Sequence, residues 1–139
     1  MNYYKAAENL LLSVQSLNAS LENLKIRQEK IKQIPQPKIK NYNKSSDVSN
    51  AVERTLEAAE INQNKEYTEY ILESINSILE QLSCEEKQIL QLWYIEKQCK
   101  EKILSALHIE SLTTLYKLRN RAVANFALLY YGARALNSI

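Results

Sequence analysis

The side chains between residues 111 and 121 are of the types that contact bases and phosphates in nucleic acids. Threonine and asparagine can bond to base edges, lysine and arginine to phosphates or guanine, and leucine can contact a thymine methyl group. No acidic residue follows Glu110, whereas four basic residues do. The side chains expected to contact double-stranded DNA are those of Ser111, Leu112, Thr113, Thr114, Tyr116, Lys117, Arg119, Asn120 and Arg121.

One helix is expected to position these side chains. Ser111 can cap its start, and Gly132, the only glycine of the chain, lies where it should end. One side of this helix is expected to be buried and the other to lie in the major groove of DNA. A solvated amphipathic helix would show the same charge pattern, so both interpretations stay open. The expected buried stripe comprises Leu115, Leu118, Ala122, Phe126 and Leu129.

The preceding segment has the order of elements that a helix-turn-helix requires. Residues 83–86 have the pattern of a capping box, in which the Ser83 hydroxyl can accept from the amide of Glu86 and the Glu86 carboxylate can reach back. We predict a helix after it, a turn at 96–98, a short helix at 103–107 and a turn at 108–110. Trp93 and Tyr94 lie on the first of these helices, where packing is favoured over stacking on bases.

Apolar residues near the amino terminus recur at steps of four and three over about four heptads. Pro35 should end this helix, because proline disfavours helical geometry in the residue before it. Residues 3–34 are therefore predicted to form a coiled-coil rod of about 48 Å, at ~1.5 Å per residue. The seam comprises Tyr3, Ala7, Leu10, Val14, Leu17, Leu21, Leu24, Gln28 and Ile31, of which only Gln28 is polar.

A polar loop over about residues 35–47 is expected to lead to a second long helix over 48–81, capped by Ser46 or Asp47. Seven basic residues and one acidic residue lie between 25 and 44, whereas eight acidic and two basic residues lie between 47 and 82. Similar lengths and opposite charges favour packing of the two long helices, within one chain or between chains. The apolar stripe of the second helix comprises Val48, Val52, Leu56, Ala59, Tyr67, Ile71, Ile75, Ile78 and Leu82, with a weak polar patch at 61–64.

The composition favours an all-α chain without an enzymatic site. One glycine and two prolines in 139 residues are too few for a strand-and-turn protein. Cys84, Cys99 and the single histidine, His108, lack metal-ligand spacing, so reduced thiols are favoured over a disulfide or metal site and no cofactor is expected. No glycine-rich phosphate loop and no nucleophile beside a base occurs, and no secretory or membrane-spanning segment is expected.

Two stretches resemble known families. Residues 82–97 resemble the opening helix of the region 4 domain of sigma factors, and residues 114–122 with 126–132 are similar to the end of ArpU- and RinA-like regulators of phages and prophages. The resemblance covers roughly the last 50 residues well and the rest loosely. It implies sequence-specific DNA binding that regulates phage late or packaging genes, in the cytoplasm of a low-GC Gram-positive host.

The chain departs from the family pattern at the turn of the motif. His108 stands where the family has glycine, Leu104 stands where it has a small residue, and the stretch between Leu107 and Thr114 is one residue longer. A non-glycine residue in a left-handed turn costs roughly 1 kcal/mol, and a bulky Leu104 would hold the two helices apart. Either a different turn relieves both problems, or the motif serves packing alone.

The expected architecture is a long helical hairpin over residues 1–82, followed by a small helix-turn-helix domain over 83–139. Because two helices alone bury their apolar stripes incompletely, a homodimer or higher oligomer through residues 3–82 is expected. A phage transcriptional regulator is the leading hypothesis. The alternatives are a coiled-coil adaptor that binds RNA polymerase or another phage protein, and a small packaging (terminase) subunit.

Overall fold

The computed structural model describes residues 1–34 and 45–138, and every regular element within these ranges is helical. The all-α class is therefore confirmed. The predicted polar loop falls largely on residues 35–44, outside the described residues. The elements are α1 (Tyr3–Leu12), α2 (Val14–Gln33), α3 (Ser45–Gln81), α4 (Cys84–Leu90), a π-helical turn (Gln91–Ile95), α5 (Lys100–Leu107), α6 (Leu112–Tyr131) and a 3-10 segment (Gly132–Ser138).

The chain divides into two compact units, which we call the terminal unit (residues 1–16 and 72–139) and the middle unit (residues 17–71). This division differs from the expected boundary at residue 82. The reason is that α1 and the end of α3 contribute to the same core as the carboxy-terminal helices: Ala7, Leu11 and Ile75 are fully buried.

The core of the terminal unit is centred on α6, which packs against both α1 and α4. The predicted buried stripe of α6 is confirmed at four positions and wrong at Leu129, which is 45% exposed because that side of the last helical turn is left uncovered. Packing from two sides widens the buried surface beyond one stripe, so it also includes Val123 and Ala127.

The helix predicted to be continuous over residues 3–34 is interrupted at Ser13. The Ser13 hydroxyl donates to the carbonyl oxygen of Leu10 at 2.7 Å, and the Ser13 amide lies 3.1 Å from the carbonyl oxygens of both Asn9 and Leu10. Serine hydroxyls that bond back to the preceding turn often bend helices. Every residue of the predicted heptad seam is nevertheless buried or half-buried, as is Leu11, which the seam omitted.

In the middle unit, α2 and α3 contact each other within one chain. Gln28, the polar break in the seam, donates from Nε2 to Oδ1 of Asn62 at 3.2 Å and accepts at Oε1 from Nζ of Lys65 at 3.3 Å. Beside them Ile61 is only 2% exposed. The segment predicted to be a weak polar patch, residues 61–64, is therefore part of the contact between α2 and α3. Among the described residues no ion pair joins α2 to α3, so the amides of Gln28 and Asn62 and the Lys65 ammonium make the polar contact, rather than the opposite charge blocks.

The apolar stripe predicted on α3 is buried only in part. Ile75 and Ile78 are buried in the terminal unit, whereas Val52, Leu56 and Tyr67 are 53%, 64% and 67% exposed. At about 100° per residue, these three side chains lie on the side of α3 opposite Ile61. The helix begins earlier than predicted, at Ser45. The side chains of Ser46, Asp47 and Val48 lie outside the described residues.

The first helix of the carboxy-terminal part begins at the predicted capping box. The Ser83 hydroxyl accepts from the Glu86 amide at 3.3 Å and donates to the Glu86 carboxylate at 2.8 Å, so the carboxylate reaches the hydroxyl rather than the backbone. The other carboxylate oxygen accepts from Nδ2 of Asn125 on α6. Glu86 is 7% exposed, and these bonds satisfy a buried charge while linking α4 to α6.

The turn between α5 and α6 is closed by His108 in the left-handed conformation, with φ 56° and ψ 40°. The His108 amide lies 3.3 Å from the Ser105 carbonyl oxygen, and the Ile109 amide lies 3.0 Å from the Leu104 carbonyl oxygen. This pair of bonds is the Schellman motif, which usually places glycine at the left-handed residue. The chain therefore keeps the glycine conformation with a histidine, and the expectation that His108 is a turn residue is confirmed.

We expect His108→Gly to raise the free energy of unfolding by about 0.5–1 kcal/mol, because it removes the steric cost of a left-handed side chain. His108→Val should lower it by about 1 kcal/mol or more, because a β-branched side chain is least tolerated there. Urea unfolding followed by circular dichroism measures both. Equal midpoints for the two variants would show that the turn is not left-handed at residue 108.

Candidate nucleic-acid interface

The start of α6 is built from its own capping residues. Ser111 accepts from the Thr114 amide at 3.1 Å, and its hydroxyl lies 3.2 Å from Oγ1 of Thr114. This confirms Ser111 as the cap and orders the first turn of the helix. Both side chains remain exposed, so their remaining hydrogen-bonding capacity faces solvent.

The side of α6 away from the core carries most of the predicted contact residues. Thr113, Lys117 and Asn120 follow one another along its middle, at helical spacing. Leu112 is 49% exposed at one edge, and Arg121 is exposed at the other. The buried core residues hold this helix in place while its outer side stays open to solvent. We call the exposed residues Thr113, Lys117, Asn120 and Arg121 the outer face of α6.

The basic side chains at this site have different partners. Nζ of Lys117 forms no ion pair within the described residues, whereas a guanidinium nitrogen of Arg121 lies 4.0 Å from the Glu85 carboxylate. That pair is exposed on both sides, so it contributes little to stability and leaves the arginine available. A cleft of about 440 Å³ lies beside the two cations, lined also by His108, Thr114 and the Glu85 carboxylate that pairs with Arg121. An anionic group in this cleft would contact Lys117 and would compete with Glu85 for Arg121.

Arg119 is held by the protein's own aromatic rings. Its guanidinium carbon lies 4.8 Å from the ring centroid of Trp93 and 5.5 Å from that of Tyr116. The two rings meet edge to face at 5.7 Å, and Nζ of Lys100 lies 5.1 Å from the Tyr116 ring. We call these four residues the cation–aromatic cluster. Cation–π contacts of this kind stabilise by about 0.5–1 kcal/mol at exposed sites. Arg119 and Tyr116 were both predicted to contact DNA. They are half-buried at the edge of the outer face, where they contact each other and Trp93.

Tyr4 is a member of the site that sequence reasoning missed. Its hydroxyl donates to Oδ1 of Asn120 at 3.0 Å, across 116 positions of sequence. Burial raises the pKa of the Tyr4 phenol, although the nearby Arg119 charge acts in the opposite direction. The phenol therefore stays protonated at neutral pH and keeps its donor. No local signal could have placed Tyr4 here, because α1 reaches α6 only through the tertiary fold.

A second tyrosine fixes α1 against the π-helical turn. Tyr94 is 2% exposed, and its hydroxyl donates to Glu8 Oε2 at 2.7 Å. Burial, reinforced by the hydrogen bond to Glu8, raises the pKa of Tyr94, so it too remains protonated. The favoured role of Tyr94 in packing is confirmed, and Trp93 is half-buried against Tyr116. These contacts tie α1 to the elements that position the outer face.

Within residues 1–34 and 45–138, no cluster of His, Cys, Asp or Glu could hold a metal ion, and no helix combines the length and apolar character needed to cross a membrane. Cys84 and Cys99 are free and exposed. No family model, curated protein or solved structure matches this chain.

Proposed function

We propose that this chain is a phage or prophage transcriptional regulator that binds double-stranded DNA in a sequence-specific manner. In this proposal α5, the turn at His108 and α6 act as a helix-turn-helix of the sigma region 4 type, and α6 enters the major groove. The amino-terminal helices act as a helical hairpin for oligomerisation. The observation that carries the proposal is the outer face of α6: it is exposed, it has no acidic residue, and the opposite side of the helix is buried in the core.

The residues of the outer face divide by chemistry. Lys117 and Arg121, beside the cleft, are suited to phosphate oxygens, and so are the hydroxyls of Ser111 and Thr114 at the helix start. Thr113 and Asn120 point where base edges would lie, and the exposed Leu112 could contact a thymine methyl group. Tyr116 and Arg119 support this face from the cation–aromatic cluster. This arrangement assigns Ser111, Thr114, Lys117 and Arg121 to phosphates, and Leu112, Thr113 and Asn120 to bases.

Lys117→Ala should weaken binding to all duplex sequences alike and reduce the salt dependence of binding. One lost phosphate contact lowers the slope of log affinity against log salt by about 0.9. Fluorescence anisotropy with labelled duplexes between about 50 and 200 mM salt measures this slope. Lys32→Ala is the matched control: it removes the same charge from α2, where Lys32 pairs with Glu29, and should leave the slope unchanged. If Lys117→Ala left the salt dependence of binding unchanged, this would contradict the placement of α6 in the DNA interface.

We further propose that the middle unit pairs with a second copy of the chain. Among its described apolar residues, only Leu24 and Ile61 are less than a tenth exposed, which is little for two long helices. The uncovered side of α3 carries apolar residues at heptad-like spacing, and acidic residues surround it. The α2 helix of a second copy would place the exposed Ile26 against these apolar residues, and its basic side chains near the acidic ones. The exposed residues on this side of α3 are Val52, Leu56, Ala59 and Tyr67.

A coiled-coil adaptor is the second candidate function, and the same uncovered side of α3 favours it. In that case the occupant would be RNA polymerase or another protein rather than a second copy. A gel-shift assay on duplex fragments from the neighbouring genome separates the two functions. A regulator shifts particular fragments, whereas an adaptor shifts none.

A further inference from the structure

The side-chain amide of Asn120 is held in one orientation. Its Oδ1 accepts from the Tyr4 hydroxyl at 3.0 Å and from Nε of Arg119 at 2.9 Å. An amide oxygen offers two acceptor positions, and both are used here. The side chain as a whole remains exposed on the outer face of α6.

Arg119 decides which way the amide points. The Nε–H of arginine can only donate, so a flipped amide would place the Nδ2 hydrogens of Asn120 against another donor. Arg119 cannot easily turn away, because its guanidinium lies against the rings of Trp93 and Tyr116. The protonated Tyr4 hydroxyl completes the arrangement from α1. The oxygen of Asn120 therefore faces the protein, and its NH₂ group faces solvent.

We propose that Asn120 is a specificity-determining residue that presents only hydrogen-bond donors to DNA and selects guanine. This inference rests on the proposed function, since it requires α6 to lie in the major groove. The outward Nδ2 has no acceptor among the described residues, so both of its hydrogens are available.

The selectivity follows from the base edges in the major groove. Asparagine usually recognises adenine with both ends of its amide, accepting from N6 and donating to N7. With Oδ1 already occupied, Asn120 cannot accept from adenine N6 or from cytosine N4. Guanine presents two neighbouring acceptors, O6 and N7, and no donor on its major-groove edge, whereas thymine presents a single acceptor, O4, beside its methyl group. A donor-only Asn120 therefore favours guanine over adenine, the reverse of the usual preference.

Asn120→Asp tests this preference with almost no change in shape. The aspartate keeps an oxygen that can accept from Tyr4 and Arg119, but it replaces the outward NH₂ group by an acceptor. Selection from random duplexes, followed by competition between duplexes that differ at one base, should show guanine at one position for the natural protein. The variant should lose that preference by about fivefold or more and favour cytosine, whose N4 donates. Asn64→Asp, an exposed position on α3, is the control and should leave the preference unchanged.

Releasing the amide gives a second, independent test. The double variant Tyr4→Phe with Arg119→Met removes both donors to Oδ1, so Asn120 can adopt either orientation. The ratio of affinities for adenine and guanine duplexes should then shift towards adenine by about fivefold or more. A uniform loss of affinity from the missing charge does not alter this ratio. The side-chain NH₂ signal of Asn120 in an ¹⁵N relaxation experiment should be rigid in the natural protein and mobile in the double variant.

The outcomes separate the two proposals. If the protein enriches no sequence at all, the proposed function fails and this inference fails with it. If it enriches a sequence but Asn120→Asp changes all duplexes equally, or the sensitive position prefers adenine, only the inference is overturned. A mobile Asn120 amide in the natural protein also overturns the inference, whatever the DNA experiments show.

Discussion

Leu11→Ala is expected to lower the free energy of unfolding by about 2–5 kcal/mol, the range for removing a fully buried leucine. Leu11 is 0% exposed and belongs to α1, which packs against α6. The loss should be visible at Trp93, the only tryptophan, which lies in the carboxy-terminal part of the terminal unit. Urea unfolding followed by tryptophan fluorescence measures it.

The neighbouring Leu12 supplies the control for this prediction. Leu12 is 40% exposed, so Leu12→Ala should cost well under half as much while making the same change in helix propensity. Equal effects of the two substitutions on the Trp93 transition would contradict the shared core. The carboxy-terminal helices would then form a domain independent of α1.

Leu56→Asp is expected to weaken self-association by about 100-fold or more. Burying one leucine contributes about 1.5–3 kcal/mol, a symmetric dimer loses the contribution twice, and each 1.4 kcal/mol is a tenfold change. The introduced aspartate also adds to the acidic side chains around this surface. Sedimentation equilibrium at tens of micromolar should show a dimer for the natural protein and a monomer for the variant.

Leu136→Asp is the matched control for Leu56→Asp, because Leu136 is 60% exposed and Leu56 is 64% exposed. It lies in the 3-10 segment and should leave the dimer intact. A monomer for the natural protein would remove the dimer proposal. A dimer that survives Leu56→Asp would move the interface away from this side of α3.

Local features of the carboxy-terminal helices could be predicted because short-range chemistry determines them. The caps at Ser83 and Ser111, the end of α6 at Gly132 and the turn at His108 all depend on hydrogen bonds within a few residues. The π-helical turn at Gln91–Ile95 was not predicted from the sequence. Its end is closed by a hydrogen bond from the Glu96 amide to the Gln91 carbonyl oxygen. Such one-turn variations leave no clear periodic signal in sequence.

Tertiary features were harder to predict because one apolar pattern fits several partners. The heptad seam of α1 and α2 marks buried positions well, but it does not show that α1 packs against α6 while α2 contacts α3. On α3 the stripe at Val52 and Leu56 is more regular than the side that actually faces α2, where Ile61 lies among amides. Periodicity indicates which residues could be buried, not which surface covers them.

The candidate site shows the same limit. The exposed positions on α6 follow from its helical spacing, so Lys117 and Asn120 could be placed from sequence. The roles of Arg119 and Tyr116 could not, because their partners Trp93 and Lys100 come from other elements. The hydrogen bond from Tyr4 to Asn120 could not either, because Tyr4 lies on α1. A charge pattern alone does not distinguish an arginine that is open to a phosphate from one held by aromatic rings.

Unbiased selection from random duplexes at about 150 mM salt tests the central claim most directly, because weak electrostatic binding is suppressed there. The central claim is that the outer face of α6 binds duplex DNA in a sequence-specific manner. We expect the natural protein to enrich one common sequence, and the double variant Lys117→Ala with Asn120→Ala to lose that enrichment. No enrichment by the natural protein, or an identical sequence enriched by the double variant, would contradict the claim.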